Sequence, residues 1–390
     1  MDLELIQSTL RKNGLDGWLF YDHHRRDPIA YRVLEINPPM CTRRWFYLIP
    51  AEGEPSKLIH RVERHNLDGL PGHGIEYSTW KEQHEGLKKI LNGKKHIAMQ
   101  YSPLNNIPYV GLVDAGTIEL VRGLGVDVIS SADLVQLFEA RWSEDALLSH
   151  LDAGKVVHAA VRAGFAAIRD AVGSGKGISE YEVQQEMRRI FDAGGVIADE
   201  GPVAAVNRNS ANPHYMPEPE HSSPIGADDF VLLDVWGKIN SPGATYFDIT
   251  WTGFVGVEVP RRYVDVFEIV KEARDAAVDF VQAAMTSGRT IHGYEVDDVA
   301  RAIISRRGYG PNFVHRTGHS IGEEVHGNGA NIDNFETRDT RPIIPGICFS
   351  IEPGIYLEEF GVRSELNMFV EERGARVTGE VQTAIVPILG

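Results

Sequence analysis

The sequence predicts an α+β protein of two domains, an α/β domain over residues 1–142 and a pseudo-twofold domain over residues 143–390. Three observations carry that reading. A chain of 390 residues exceeds what one ordinary core holds together. Its first 140 residues alternate short strand-like and helix-like segments. Its remainder repeats itself.

In the first part, residues 3–12 have helical spacing of apolar side chains, and Gly17-Trp18-Leu19-Phe20-Tyr21 reads as a buried strand. Residues 44–50 and 57–60 predict a hairpin around Ala51-Glu52-Gly53-Glu54. Residues 96–100 and 126–130 are further strands, and residues 133–141 are helical. The run Tyr21-Asp22-His23-His24-Arg25-Arg26-Asp27 reads as a solvated loop, and nothing here announces chemistry. At Trp142-Ser143-Glu144 the texture changes. Ser143 caps a helix predicted over residues 144–171, with Leu147, Leu151, Val156, Val157, Ala160, Val161 and Phe165 on its apolar face.

Beyond that helix lies the repeat. Ser174-Gly175-Lys176-Gly177-Ile178-Ser179-Glu180-Tyr181-Glu182-Val183 returns 113 residues later as Ser287-Gly288-Arg289-Thr290-Ile291-His292-Gly293-Tyr294-Glu295-Val296. The match extends through Arg188/Arg301 and Ile190/Ile303 to Gly195/Gly308. Each copy comes after one long helix and opens a second, and Ser179 with Glu182 makes a capping box. Two like halves, each helix–helix–hairpin, imply halves that face one another.

Composition narrows the function classes. Lys and Arg total 39 against 55 Asp and Glu, a net charge of −16, which argues against a nucleic-acid partner. No apolar run approaches the ~20 residues of a membrane span. The acidic, amphipathic start Met1-Asp2-Leu3-Glu4 is unlike a signal peptide, so no membrane partner and a cytoplasmic address are expected. Cys41 and Cys348 form neither a disulfide framework nor a cysteine-based zinc site, and Cys348 reads as a buried free thiol.

The strands downstream of each copy point to metal chemistry. After the first, Phe230-Val231-Leu232-Leu233-Asp234-Val235-Trp236 and Tyr246-Phe247-Asp248-Ile249-Thr250-Trp251 flank a Ser241-Pro242-Gly243 turn. After the second come Ile347-Cys348-Phe349-Ser350-Ile351-Glu352-Pro353-Gly354 and Gly361-Val362-Arg363-Ser364-Glu365-Leu366-Asn367-Met368-Phe369-Val370. Each hairpin carries two acids within apolar strands, and the pseudo-twofold brings all four toward one axis. Four buried carboxylates without countercharge are prohibitively costly, so divalent cations are expected, two in preference to one. Gly318-His319-Ser320-Ile321-Gly322 offers an imidazole on a thin backbone. Oxygen-rich ligation with one imidazole suits manganese, cobalt, iron or zinc. His214 and His326 nearly coincide under the repeat, which sets them on opposite sides of the centre.

These motifs resemble the pita-bread metallopeptidase family of prolidases, aminopeptidase P, methionine aminopeptidases and creatinases. The resemblance lies in Thr317-Gly318-His319-Ser320-Ile321-Gly322 with His326 seven residues after His319, Ile351-Glu352-Pro353-Gly354-Ile355-Tyr356 and Val362-Arg363-Ser364-Glu365. It is strong over residues 144–390 and looser over the α/β domain, which is similar to the N-terminal domain of creatinases and prolidases. It implies Asp234, Asp248, His319, Glu352 and Glu365 as ligands of a dinuclear site, Asp248 and Glu365 bridging, with manganese foremost. The sequence departs from the family at Asp234-Val235-Trp236-Gly237, in the spacing of the two aspartates, at Trp251 and at Leu366. The ligands survive these departures, and the pocket around them changes.

The resemblance implies hydrolysis of Xaa-Pro bonds, as a dipeptidase or an aminopeptidase. A metal-bridging hydroxide would attack the scissile carbonyl. Glu352 would act as general base and then acid, and His326 or His214 would stabilise the oxyanion or hold the substrate. Arg363 is expected to pair either with a substrate carboxylate or with Glu365. The implied partners are a small peptide with proline second and a second copy of the chain, whose loop at Asp22–Asp27 can approach the neighbouring site. The alternatives are a C–N hydrolase of a small non-peptide metabolite on the same fold, and a non-catalytic peptide-binding module.

Overall fold

A computed structural model describes residues 1–390. The chain divides into two compact units, Met1–Glu139 and Ala140–Gly390.

The first unit begins with α1 (Leu3–Lys12), whose N-cap Asp2 accepts from Leu5 N at 2.9 Å, with Ile6 and Leu10 buried. After it come β1 (Gly17–Asp22), α2 (Pro28–Leu34), β2 (Trp45–Pro50), β3 (Ser56–His60), β4 (His73–Tyr77), α3 (Trp80–Ile90), β5 (His96–Met99), α4 (Ala115–Gly123), β6 (Asp127–Ser130) and the short α5 (Ala132–Val135). The six strands form one sheet in the order β4-β3-β2-β1-β5-β6. β1 is buried at every residue because it lies inside the sheet, antiparallel to β2 and parallel to β5. The hairpin expected at Ala51–Glu54 closes with Leu48 opposite Ser56. Apolar cores cover both faces of the sheet.

Helices α2, α3 and α4 were not legible in the sequence. The buried stripe of α3 is Gln83, Gly86, Leu87 and Ile90, so half of its inward face is not apolar. The helix expected over residues 133–141 is α5 continued by a π-helical stretch, Gln136–Ala140.

The first half of the second unit runs α6 (Glu144–Gly173), β7 (Ile178–Ser179), α7 (Glu180–Gly194), β8 (Val196–Ile197), β9 (Val203–Val206), β10 (Pro224–Ile225), β11 (Phe230–Ile239) and β12 (Phe247–Phe254). The second half runs α8 (Arg261–Ser287), α9 (Gly293–Arg306), β13 (Ser320–Ile321), β14 (Cys348–Ile351), β15 (Gly354–Tyr356), β16 (Gly361–Arg363), β17 (Leu366–Glu371), β18 (Gly374–Thr378) and β19 (Val386–Pro387). Both repeat copies start their second helix with a capping box, Ser179 with Glu182 and His292 with Glu295. Each half owns a core: α6 and α7 close over β11 and β12, while α8 and α9 close over β14 to β17.

Ser143 caps α6 as expected, accepting from Ala146 N at 3.1 Å. Its buried face is rotated from the one read in the sequence. Val157, Ala160, Val161 and Phe165 point inward together with His150 and His158, while Leu147, Leu151 and Val156 are only half-buried. The buried imidazoles are satisfied. His150 lies 2.6 Å from Tyr246 O and 2.7 Å from Thr378 Oγ1, and His158 Nε2 accepts from Glu380 N at 3.0 Å.

Candidate metal centre

The strand period of two sorts the side chains of β11 and β12. Val231, Leu233, Val235, Phe247 and Ile249 enter the core. Asp234, Asp248 and Thr250 therefore share the opposite face, with Asp234 across from Thr250 and Trp236 across from Asp248. In the other half the ladder breaks. β14 ends at Ile351 and β15 starts at Gly354, while β16 ends at Arg363 and β17 starts at Leu366. Pro353 has no N–H with which to continue it. Glu352 and Glu365 sit in these two gaps and not inside paired strands, a correction to the hairpin read from the sequence. Their own N–H groups turn away, to Thr317 O at 2.7 Å and to Thr250 O at 3.3 Å. The second bond joins the two hairpins.

His319 arrives on a backbone that only glycine lets close. A Cβ on Gly318 would stand 1.9 Å from the Ser350 carbonyl oxygen. His319 N donates to Ser350 Oγ at 2.9 Å, and its Nδ1 lies 3.1 Å from Ser320 O. A carbonyl only accepts, so Nδ1 holds the proton and Nε2 keeps a lone pair. That lone pair faces acids, Asp248 Oδ2 at 3.5 Å and Glu352 Oε1 at 3.4 Å. One ligand atom from each of Asp248, His319 and Glu365 lies within 4.8 Å of the others.

The charges do not balance among themselves. Asp248 Oδ1 and Glu365 Oε1 are buried without a hydrogen-bond partner. Burial first, and then the charge of Asp234, pushes Asp248 well above the ordinary carboxylate range. Burial and then Asp248 do the same to Glu365. Burial raises Glu352, with His319 and Arg363 drawing it back. One guanidinium cannot offset four carboxylates. Orphaned oxygens, an unprotonated imidazole nitrogen and surplus negative charge together fit divalent cations.

Arg363 is 5% exposed, so it is no surface clamp. Its Nη2 pairs with Asp234 Oδ2, its Nε donates to Thr250 Oγ1 at 2.8 Å and its Nη1 to Tyr356 Oη at 3.1 Å. All three nitrogens are engaged inside the protein. Within the chain Arg363 pairs with Asp234, with Glu352 Oε2 3.8 Å from its Nε, and not with Glu365. His326 stands edge-on to His319, with ring centroids 4.4 Å apart. His214 is exposed.

Sequence reasoning passed over the groups that hold these acids. The Thr250 hydroxyl lies 3.0 Å from Asp234 Oδ1 and 2.8 Å from Glu365 Oε2. Asn367 brackets the Asp248 backbone, accepting from its N at 3.1 Å and donating to its O at 2.6 Å. Ser350 Oγ donates to Glu352 Oε1 at 3.1 Å, and His315 meets Tyr356 Oη at 2.7 Å. The available signal was the strand period at Thr250, two residues beyond Asp248 on the same face of β12.

Comparisons with known proteins bear on the fold and the family. By structure the chain is similar to dipeptidase PepE from Mycobacterium ulcerans, with a TM-score of 0.72 and 22% identity over 99% of this chain and 96% of that one. It is also similar to the prolidase from Pyrococcus horikoshii OT3, with a TM-score of 0.64 and 22% identity over 97% and 98%. The architecture is therefore the pita-bread fold preceded by an α/β domain. In sequence, residues 149–372 match metallopeptidase family M24. An Xaa-Pro dipeptidase of Lactobacillus delbrueckii subsp. lactis is 32% identical over 371 residues, 94% of this chain and 93% of that protein. The chain belongs to metallopeptidase family M24, and it is a metal-dependent peptidase.

Proposed function

We propose that this peptidase hydrolyses Xaa-Pro bonds, with dipeptides as its substrates, and that Asp234, Asp248, His319, Glu352 and Glu365 hold two divalent cations. Manganese is the foremost candidate, with cobalt, iron or zinc as the others. The observation that carries this reading is the pair of orphaned oxygens on Asp248 and Glu365 beside the unprotonated Nε2 of His319. The full-length similarity to an Xaa-Pro dipeptidase supports the substrate class. When bound, such cations supply Lewis acidity and lower the pKa of coordinated water toward neutrality.

The chain's own residues do the rest. Glu352 receives the proton of the attacking water and returns it to the leaving nitrogen. His326, packed on His319, and His214 on its exposed loop contact the substrate and the developing oxyanion. Arg363 acts on Asp234 and not on the substrate, fixing its carboxylate together with Thr250, while Tyr356 holds Arg363 in place. No helix is long and apolar enough to cross a membrane. A homodimer in the cytoplasm completes the proposal.

The test is hydrolysis of Ala-Pro, Ala-Pro-Ala and a non-peptide amide by the manganese-loaded protein. Turnover of Ala-Pro well above the other two supports a dipeptidase. Preference for the tripeptide makes it an aminopeptidase. Turnover of the amide alone transfers the chain to C–N hydrolysis of small metabolites, and no turnover with metal bound leaves a binding module.

A further inference from the structure

The α/β unit, which the proposed chemistry leaves idle, holds a cleft of about 920 Å³. It opens at the carboxyl ends of β1 and β3 and at Tyr77 of β4, with Trp80, the first residue of α3, and Gly116, the second of α4, on its wall. In open α/β sheets, the crevice at the carboxyl ends of strands is where small ligands settle, and helix N-termini there favour anions.

Arg26, Arg43 and Arg44 all line this cleft, in a chain whose net charge is −16. None of the three has a carboxylate partner, and the Arg43 guanidinium meets only Thr42 O and Oγ1, at 3.2 and 3.0 Å. Their backbones, by contrast, are pinned by buried polar groups. Asp22, 1% exposed, accepts from Arg26 N at 2.6 Å. Glu63, 9% exposed, accepts from Arg43 N at 3.1 Å and from Thr42 N at 2.8 Å. The buried Tyr77 donates its hydroxyl to Arg44 O at 2.6 Å. Asp22 also holds Arg25 N at 2.8 Å, across a loop in which His24 and Arg25 adopt φ of 64° and 56°. Buried carboxylates thus fix where the arginines start while leaving the guanidinium ends uncommitted, which lowers the ordering cost of binding an oxyanion.

Two acids share the cleft. Asp114 is spent as the cap of α4, accepting from Thr117 N at 2.9 Å and Thr117 Oγ1 at 2.8 Å, and Glu119 lies one turn further along α4. The buried Asp22 and Glu63 lie behind the arginines and are taken up by backbone N–H groups. His23 is held below its ordinary pKa by burial and then by the charges of His24, Arg26 and Arg44. Trp80 also lines the cleft and is 62% exposed, with His84 edge-on to it at 5.3 Å and the Lys81 ammonium 5.6 Å from its ring centroid.

From these placements we propose that the cleft is a binding site for a small organic oxyanion, its phosphoryl or carboxylate group held by Arg26, Arg43 and Arg44 and its flat apolar part laid on Trp80. Guanidinium forks suit both kinds of oxyanion, and an aromatic face adds stacking. No residue of the site belongs to the metal centre, and Arg43, Arg44 and Trp80 lie outside the loop Asp22–Asp27 expected near a neighbouring copy.

Titration calorimetry on the full-length protein tests this with three probes: inorganic phosphate, adenosine monophosphate and N-acetylphenylalanine. Saturable binding of at least one at a single site is expected, and the preferred probe separates a phosphoryl from a carboxylate ligand. The double variant Arg43→Ser/Arg44→Ser should weaken that binding by at least about tenfold, as loss of a charge-assisted hydrogen bond implies. Should that variant misfold, the exposed Arg26→Ser serves, with the same expectation. Asp248→Asn should bind the probe with unchanged affinity. No saturable binding of any probe, affinity retained in the arginine variants, or binding lost with Asp248→Asn would each overturn the proposal. Peptide hydrolysis does not enter the readout, so failure here leaves the peptidase reading untouched.

Discussion

Tyr356 has one hydroxyl proton, and the position of that proton is set from outside the metal centre. His315 Nδ1 lies 2.6 Å from Arg316 O, so Nδ1 carries the hydrogen and Nε2 must accept. Tyr356 therefore donates to His315 and accepts from Arg363, which leaves Arg363 oriented on Asp234. Burial pushes the Tyr356 hydroxyl up to about 12, so it keeps its proton at neutral pH. Tyr356→Phe removes the acceptor and should lower kcat or metal affinity by about 10–100-fold without unfolding the chain, checked by steady-state kinetics and metal titration. An unchanged kcat and affinity would mean that Asp234 needs no such support. A second residue shows the reverse economy. Asp27 caps α2, accepting from Ala30 N at 2.9 Å, yet its Oδ2 is buried without a partner and burial pushes it up to about 7. Its native pKa exceeds the unfolded value, so the folded unit binds more protons and loses stability as pH rises from about 4 to 7. Asp27→Asn keeps the cap oxygen and should flatten that slope, a gain of up to about 4 kcal/mol at pH 7 and above, read from denaturant midpoints against pH. The acids could be found in the sequence because charge inside an apolar run is conspicuous, and His319 because the glycines Gly318 and Gly322 flank it. Tyr356, His315 and Asn367 could not, because such side chains are unremarkable until their partners are known.

Among the elements, the duplicated helix pair and the β11–β12 hairpin were legible, since capping boxes, turn residues and strand period all act locally. The gaps that seat Glu352 and Glu365 were not. A break between β14 and β15 opposite one between β16 and β17 is a tertiary feature, of which Pro353 is the only local sign. The burial of His150 and His158 on α6 was equally hidden, because their partners at Tyr246, Thr378 and Glu380 lie 96 to 228 residues away. The approach of Gly318 to β14 gives this scale its test. Gly318→Ala must move backbone away from Ser350, and with it His319. A loss of about 1–3 kcal/mol in stability, together with weakened metal binding, is expected from thermal unfolding with and without manganese. Full stability with unaltered metal affinity would show that this contact yields freely.

For the molecule as a whole, two units of different character arise from one chain. Met1–Glu139 carries cores on both faces of a single sheet, whereas Ala140–Gly390 has two main cores and a smaller cluster at Tyr246, Ile321, Cys348 and Phe369, with a charged layer between its hairpins. Cations bound in that layer stabilise the folded state by mass action, about 4 kcal/mol at a thousandfold excess over Kd. Chelation should therefore speed amide exchange in β11, β12, β14 and β17 and leave β1, β2 and β5 unchanged, as hydrogen exchange resolved by segment would record. Uniform loss of protection would place the cations elsewhere.

All of this depends on the second unit gathering its acids and one imidazole for metal. Elemental analysis of the purified protein and of Asp248→Asn, each dialysed against manganese and paired with an Ala-Pro hydrolysis assay, measures that directly. The account predicts two metal ions per chain with turnover in the wild type, and loss of both metal and turnover in the variant. A wild-type chain that hydrolyses Ala-Pro without metal, or a variant that keeps both its metal and its activity, would contradict it.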